Sequence, residues 1–375
     1  MMRCLTIAKE LVRLGESVTF FVADEESEAA LGSMAADITV LTGNSVMRSD
    51  VCGIYVVVLG SNWQDMEAEL PVFGKELSNL GVSLLLVDSY KVMVPYFEKL
   101  KELCPVAYID DLHEDTYPVD ILINYSGYYK DLGYEDAYKS VTGHEGLPTM
   151  LLLGLEYAPL REQFYRVEEN IGETGDETKA DGANSGNSEI SILLASGGAD
   201  SYGMLIGTLE TAEEIGLVDG PGDGEPVKTW HVVAGALCKD ADALDAFAAS
   251  HPTVHIHRSV TDMAGLMRRC DLAVCAAGTM LTECAAVELP AIFYQVADNQ
   301  RYNVDFFGST GGMIFAGDVN DSKEATLQNI CGRLKALLTK EGELERMKAS
   351  LSGLTDGRGA IRIAKDLWEM AHKFD

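Results

Sequence analysis

Asp271-Leu272-Ala273-Val274-Cys275-Ala276-Ala277-Gly278-Thr279-Met280-Leu281-Thr282-Glu283 reads as a buried strand, a turn of small residues and the start of a helix. Gly278 carries no side chain to hold a ligand off the backbone. Thr279 is placed to cap the helix with its hydroxyl, leaving N–H groups directed at a diphosphate. Glu283 lies one turn further in, where a carboxylate can accept two hydrogen bonds from a ribose diol. The same residues also spell a plain capping box, so this turn alone does not decide between the two readings.

Two more segments of the second half favour a nucleotide. Ser196-Gly197-Gly198-Ala199-Asp200 follows the apolar run Ile190 to Ala195 and opens onto a helix, a second glycine turn at the same sheet edge. Asp298-Asn299-Gln300 follows the run Ile292 to Tyr294 and puts amide side chains near that edge. Three loops at the carboxyl ends of parallel strands make a nucleotide site the better reading.

Around these turns the chain alternates strands and helices twice. In the first half, strands are expected over Ser17 to Ala23, Val51 to Leu59, Val82 to Val87, Val106 to Ile109 and Asp120 to Ile123. Helices are expected over Met1 to Leu11, over Trp63 to Leu80 with a break at Pro71, and over Val94 to Leu103. Near-continuous apolar strands separated by helices mark a parallel sheet covered on both faces. Glu168 to Glu189 then shows no hydrophobic periodicity, and its seven acidic residues face only Lys179. It reads as a flexible, solvated linker. Beyond it strands restart at Ile190 to Ala195, Trp230 to Ala234, Val254 to His257, Leu272 to Cys275 and Ala291 to Tyr294. Gly216 to Pro226 reads as a surface loop and Ala360 to Lys373 as a closing amphipathic helix. The domains predicted are residues 1–164, a linker 165–189, and 190–375 including that last helix. The fold class is α/β, two Rossmann-like parallel-sheet domains facing a cleft.

Composition narrows the function. The 375 residues carry a formal charge of −30, which disfavours nucleic acid and anionic membranes, both of which need clustered Lys and Arg. No apolar run approaches the roughly 20 residues that span a bilayer. Eight cysteines without a CxxC pair suit buried thiols in a reducing cytoplasm. His255 and His257 share a strand face with His251 nearby, but no acid or cysteine joins them at metal spacing. His113 beside Asp110-Asp111 reads as a solvent-exposed loop residue, and Asp110 as a turn former. Tyr90, in Asp88-Ser89-Tyr90, offers a phenol that can hydrogen-bond or stack on a sugar.

The motif set resembles the UDP-sugar hydrolase family of pseudaminic acid biosynthesis, which cleaves UDP-2,4-diacetamido-2,4,6-trideoxy-β-L-altropyranose. Its fold is GT-B, similar to the MurG glycosyltransferase. The matching stretches are Met2-Arg3-Cys4-Leu5, Asp88-Ser89-Tyr90, Tyr108-Ile109-Asp110-Asp111, Ile123-Asn124-Tyr125 and Tyr157-Ala158-Pro159-Leu160-Arg161-Glu162-Gln163-Phe164. They continue with Gly197-Gly198-Ala199-Asp200, Gly278-Thr279 with Glu283, Asn299-Gln300 and Asp356-Gly357-Arg358-Gly359. The resemblance implies that Gly278 and Thr279 hold the diphosphate, Glu283 the uridine ribose, and Gly197, Gly198 and Asp200 the phosphates or sugar. It makes Arg3 and Gln300 further substrate-binding residues. Tyr90 and Asn299 would contact the sugar or position water, with no metal and no cofactor.

One departure concerns the start. In the family a Gly-x-Gly-His-x-Met-Arg turn precedes the first helix, and its histidine is the general base, a role worth about 10²- to 10⁴-fold. Aligning Met2-Arg3 with the end of that turn puts the histidine just ahead of Met1, so the first strand and its loop are expected to be missing here. The leading expectation is a cytoplasmic, monomeric UDP-sugar hydrolase. The alternatives are a UDP-sugar-dependent glycosyltransferase and a non-catalytic UDP-sugar-binding protein.

Overall fold

The computed structural model describes residues 1–34, 38–40, 52–62, 65–166, 189–218 and 227–373. Most of the expected linker (167–188), most of the expected loop after Gly216 (219–226) and Trp63 lie outside them. The chain forms two compact units, one of Met1–Arg161 with Gly357–Asp375 and one of Glu162–Asp356.

In the first unit, α1 (Met2–Arg13) leads to β1 (Val18–Val22), α2 (Glu25–Met34), β2 (Ile38–Val40) and β3 (Ile54–Val58). Then come α3 (Met66–Leu80), β4 (Leu85–Val87), α4 (Val94–Leu100), β5 (Val106–Ile109), β6 (Ile121–Asn124), α5 (Tyr134–Ala137) and β7 (Met150–Leu153). The strands make two parallel sheets, one of order β1-β3-β2 and one of order β4-β5-β6-β7. The α1 helix serves both. Its Leu5 and Ala8 pack with Ile54 and Val56 of β3, and its Ile7 packs with Ile109 and Ile123 of the other sheet. This follows from the sequence, where apolar residues recur at helical spacing over more than one face.

Two expectations need correction. The helix over Met66–Leu80 runs unbroken through Pro71. That proline sits in the second turn, where its missing N–H forfeits only one bond to the preceding turn. The terminal helix (Gly359–Ala371) was expected with the second domain, yet it belongs to the first unit. Its Ala360, Ile363, Ala364 and Leu367 close over Ile7, Ile109 and Ile123. A Cβ at Gly359 would collide with the backbone at Tyr157 and Ala158, so glycine permits this docking.

The second unit holds β8 (Glu189–Ala195), α6 (Met204–Glu214), β9 (Val227–Val233), α7 (Ala241–Ser250), β10 (Val254–His257) and α8 (Met263–Arg268). It continues with β11 (Leu272–Ala276), α9 (Met280–Ala286), β12 (Ala291–Gln295), α10 (Arg301–Ser309), β13 (Met313–Asp318), α11 (Val319–Leu338) and α12 (Glu343–Leu351). All six strands are parallel, in the order β10-β9-β8-β11-β12-β13. The core strands are nearly all apolar because helices cover both faces. Ile192, Leu194, Val274 and Ile292 lie in one cluster with Leu209 of α6 and Ile330 of α11. Among the described residues no helix is long and apolar enough to cross a membrane.

Candidate functional site

The strand order of the second unit contains a reversal. From β8 the chain builds outward through β9 and β10, and from β11 it builds the opposite way through β12 and β13. The reversal lies between β8 and β11, which pair from Leu272↔Ile192 to Cys275↔Ala195. At such a point the loops leaving the two strands diverge, opening a crevice at the carboxyl ends that commonly takes a nucleotide. The loop after β8 is Ser196 to Asp200, and the loop after β11 is Ala277 to Thr279. The two glycine turns singled out from sequence therefore flank the switch point.

Glycine at these turns has two distinct causes. Gly197 has φ +72°, a left-handed backbone that favours glycine. Gly198 and Gly278 have no positive φ, and a Cβ on either would meet no atom within 4 Å. Neither backbone conformation nor internal packing requires glycine there. Gly235, just beyond β9, shows the opposite pattern, because a Cβ on it would collide with the Gly198 carbonyl. Its place in the site was not foreseen, since a lone glycine after a strand carries no signal of a close approach.

The side chains divide less as expected. Asp200 is only 3% exposed, and its Oδ1 and Oδ2 accept hydrogen bonds from the amides of Met204 (2.9 Å) and Leu205 (3.0 Å). It was expected to line the ligand site. Instead it caps α6, with both carboxylate oxygens taken up by orphan amides of the first turn. Thr279 does occupy the N-cap position of α9, but its hydroxyl makes no capping bond. Its backbone is already helical (φ −57°, ψ −22°), whereas a capping side chain works from an extended backbone. Among the described residues the amides of Thr279 and Met280 have no protein acceptor. Glu283 sits half-buried in the first turn of α9. Gln300 is partly committed, its Oε1 accepting from the Val296 amide at 2.9 Å. Asn299 beside it is exposed. Asn303 and Asn320, which no motif marked, tie the edge together through the Ala277 and Val296 carbonyls at 3.3 and 3.2 Å.

A polar cluster in the first unit gathers at the carboxyl ends of β4, β5 and β6. Arg3 donates from Nε and Nη2 to Asp88 (3.0 and 2.6 Å), and from Nη1 to Asp111 (2.8 Å) and the Tyr125 hydroxyl (2.6 Å). Arg3, expected to bind substrate, is engaged within this cluster. Its donors are spent on two carboxylates and a phenol, which a buried guanidinium needs for compensation. Burial works to raise the Asp88 carboxyl, but the bond to Arg3 and its charge prevail and hold it down at about 2. Tyr90 is 60% exposed, and its hydroxyl donates to Asp111 at 2.5 Å. Desolvation of that end, then the Asp111 contact, raises the phenol above its ordinary value.

Asp110 makes a turn, as its place after β5 suggests, with Oδ1 accepting from the Leu112 and His113 amides at 3.0 Å each. Burial raises its carboxyl. His113 departs from the exposed loop residue expected. It is half-buried, Nδ1 lies 2.5 Å from the Leu132 carbonyl, and its ring stacks on Tyr134 at 4.3 Å. His255 and His257 are joined by His231 of β9, whose Nδ1 lies 3.0 Å from His257 Nε2. Among the described residues no group of three or more His, Cys, Asp or Glu is arranged to hold a metal ion.

With this geometry in place, similarity to known proteins can be weighed. No known protein-family profile matches the chain. It is 24% identical over 181 residues to the spore coat polysaccharide biosynthesis protein SpsG of Bacillus subtilis, covering 48% of this chain and 50% of that protein. It is 29% identical over 166 residues to a UDP-N-acetylglucosamine–N-acetylmuramyl-(pentapeptide) pyrophosphoryl-undecaprenol N-acetylglucosamine transferase of Francisella tularensis, covering 42% and 41%. The chain thus spans about half the length of the curated relatives it matches. The solved structure of Acinetobacter baumannii MurG superposes with a TM-score of 0.62 at 14% identity, covering 98% of this chain and 95% of that one.

The fold is GT-B. It comprises two Rossmann-like parallel-sheet units, as the sequence pattern implied. The similarities do not reach as far as the pseudaminic acid hydrolase family.

Proposed function

We propose that the chain is a UDP-sugar-dependent glycosyl-transferring enzyme, with the nucleotide diphosphate bound at the switch point of the second unit. The observation that carries this is the pair Gly198 and Gly278, glycines that neither backbone nor packing demands, set at the ends of β8 and β11. A diphosphate close to the backbone supplies the missing reason. In this reading the Thr279 and Met280 amides bind phosphate oxygens, Glu283 binds the ribose and Asn299 contacts the sugar. Similarity to a UDP-N-acetylglucosamine transferase and to a polysaccharide biosynthesis protein supports the substrate class. Tyr90 is the candidate catalytic contact of the first unit.

Hydrolysis is the second reading, favoured by the ordered motif run from Arg3 to Gly359. There a water oxygen would attack the anomeric carbon, the bond from that carbon to the diphosphate would break, and UDP would leave with the electron pair. Calorimetry with UDP, followed by UDP release from UDP-N-acetylglucosamine without any acceptor, separates the cases. Binding without release supports transfer, and release in water alone supports hydrolysis. Absence of UDP binding would overturn both.

A further inference from the structure

One rung of the six-stranded sheet closes the switch point from below. Ala195 of β8 pairs with Cys275 of β11, and Ala276 pairs with Tyr294 of β12. Ser196, one residue past β8, continues this register opposite Ala276. Ser196, Ala276 and Tyr294 therefore form a row across the carboxyl ends of three neighbouring strands. Alternation along each strand puts Ser196 on the face of Ile192 and Leu194, and Tyr294 on the face of Ile292. Those three apolar residues and Tyr294 belong to one core cluster. Ser196 stands two strand spacings from Tyr294, about 10 Å, a gap that an extended phenol and a serine side chain bridge together. Ala276 between them has only a methyl group, which leaves the ring room to cross β11.

Tyr294 is fully buried, and its hydroxyl lies beside the Ser196 side chain. Yet that hydroxyl makes no hydrogen bond of acceptable geometry with any described residue. A buried polar group without a partner is destabilising, and phenylalanine would fill the same space without that penalty. Packing thus accounts for the ring and leaves the hydroxyl unexplained. Burial raises the phenol well above its ordinary value, so it keeps its proton and is available as a donor. The neighbouring carboxylate of Asp200 is already committed to the amides of Met204 and Leu205. Ser196 itself is half-buried and is followed by Gly197 and Gly198, around which a Cβ would meet no atom within 4 Å. The loop that begins at Ser196 is therefore open to a ligand.

We propose that Tyr294 is a positioning residue for the nucleotide diphosphate: its hydroxyl donates to Ser196 Oγ, and the Ser196 hydroxyl donates to a phosphate oxygen. The phenol's bond forms on binding, when the anion draws the serine proton towards itself and turns the Oγ lone pairs to Tyr294. Each bond of such a pair polarises and strengthens the other. The Tyr294 carbonyl supplies a second tie, accepting from the Ala277 amide at 2.8 Å. One residue then supports both loops of the switch point, the loop after β8 through its side chain and the loop after β11 through its backbone. This inference rests on the nucleotide reading above and deepens it.

The test compares the parent chain, Tyr294→Phe, Ser196→Ala and the double variant, reading UDP affinity by calorimetry and stability by thermal melting. Tyr294→Phe is expected to melt at or above the parent, because it removes an unpaired buried hydroxyl, and to bind UDP about three- to tenfold more weakly. Ser196→Ala is expected to weaken UDP binding by a similar or larger factor without lowering the midpoint. The double variant is expected to match Ser196→Ala in affinity, since the phenol acts through the serine. Unchanged affinity in either single variant would overturn the proposal and leave the nucleotide reading intact. So would losses that multiply in the double variant. A lower midpoint for Tyr294→Phe would also overturn it, by giving the hydroxyl a structural role. Absence of UDP binding by the parent would overturn the nucleotide reading and this inference with it.

Discussion

The guanidinium of Arg3 grips the carboxylate of Asp88 with two parallel bonds, Nε to Oδ2 at 3.0 Å and Nη2 to Oδ1 at 2.6 Å. Both side chains are largely buried, and they stand 85 positions apart in the chain. This pair closes α1 onto the end of β4. Removing Arg3 would strand a buried charge, so Arg3→Ala is expected to destabilise the first unit by about 3 kcal/mol. Urea unfolding followed by a first-unit probe checks it. A loss below about 1 kcal/mol would show that the pair is solvated.

Acid should act through the same pair. Asp88 is held at about 2 against an ordinary 3.8, so its contribution is complete above pH 3.8 and fades as pH falls towards 2. The midpoint of the parent protein should drop more steeply between pH 4 and pH 2 than that of Asp88→Asn. Parallel curves would contradict the assignment.

The glycines at the switch point should separate by cause. Gly278→Val and Gly198→Val are expected to leave stability within about 1 kcal/mol and to weaken UDP binding by about tenfold or more. Gly235→Ala should instead impair folding, because its Cβ would strike the Gly198 carbonyl. Melting curves paired with calorimetry distinguish the two behaviours.

Carboxylates near the site should also part company. Asp200→Ala removes a helix cap and is expected to cost about 1–2 kcal/mol of stability, with the larger effect read in melting rather than in nucleotide affinity. Glu283→Ala is expected to weaken UDP binding, with the larger effect read in nucleotide affinity rather than in melting. An unchanged affinity would remove the ribose role.

What the sequence disclosed, and what it hid, follows from the range of each interaction. The strand Val106–Ile109 was legible to the residue, because a buried parallel strand is an unbroken apolar run. The turns at Gly197 and Gly278 were legible as glycines after such runs. Contacts between distant segments left no local trace. Nothing near Arg3 announces Asp88 or Asp111, and Asp200 looks identical whether it faces a ligand or a helix. The terminal helix shows an apolar stripe, but a stripe names no partner, so its unit was misjudged. His113 was misjudged for the same reason, since the Tyr134 ring it stacks on is contributed from beyond β6.

The return of the terminal helix has a practical corollary for dissecting the molecule. The polypeptide crosses between its units twice, at 161/162 and again at 356/357, so the second unit is nested inside the first. Excising residues 162–356 yields a piece whose strands are contiguous. A piece stopped at residue 161 would instead leave Ile7, Ile109 and Ile123 bare to water, and bridging 161 to 357 with a short artificial link would be needed to keep it soluble.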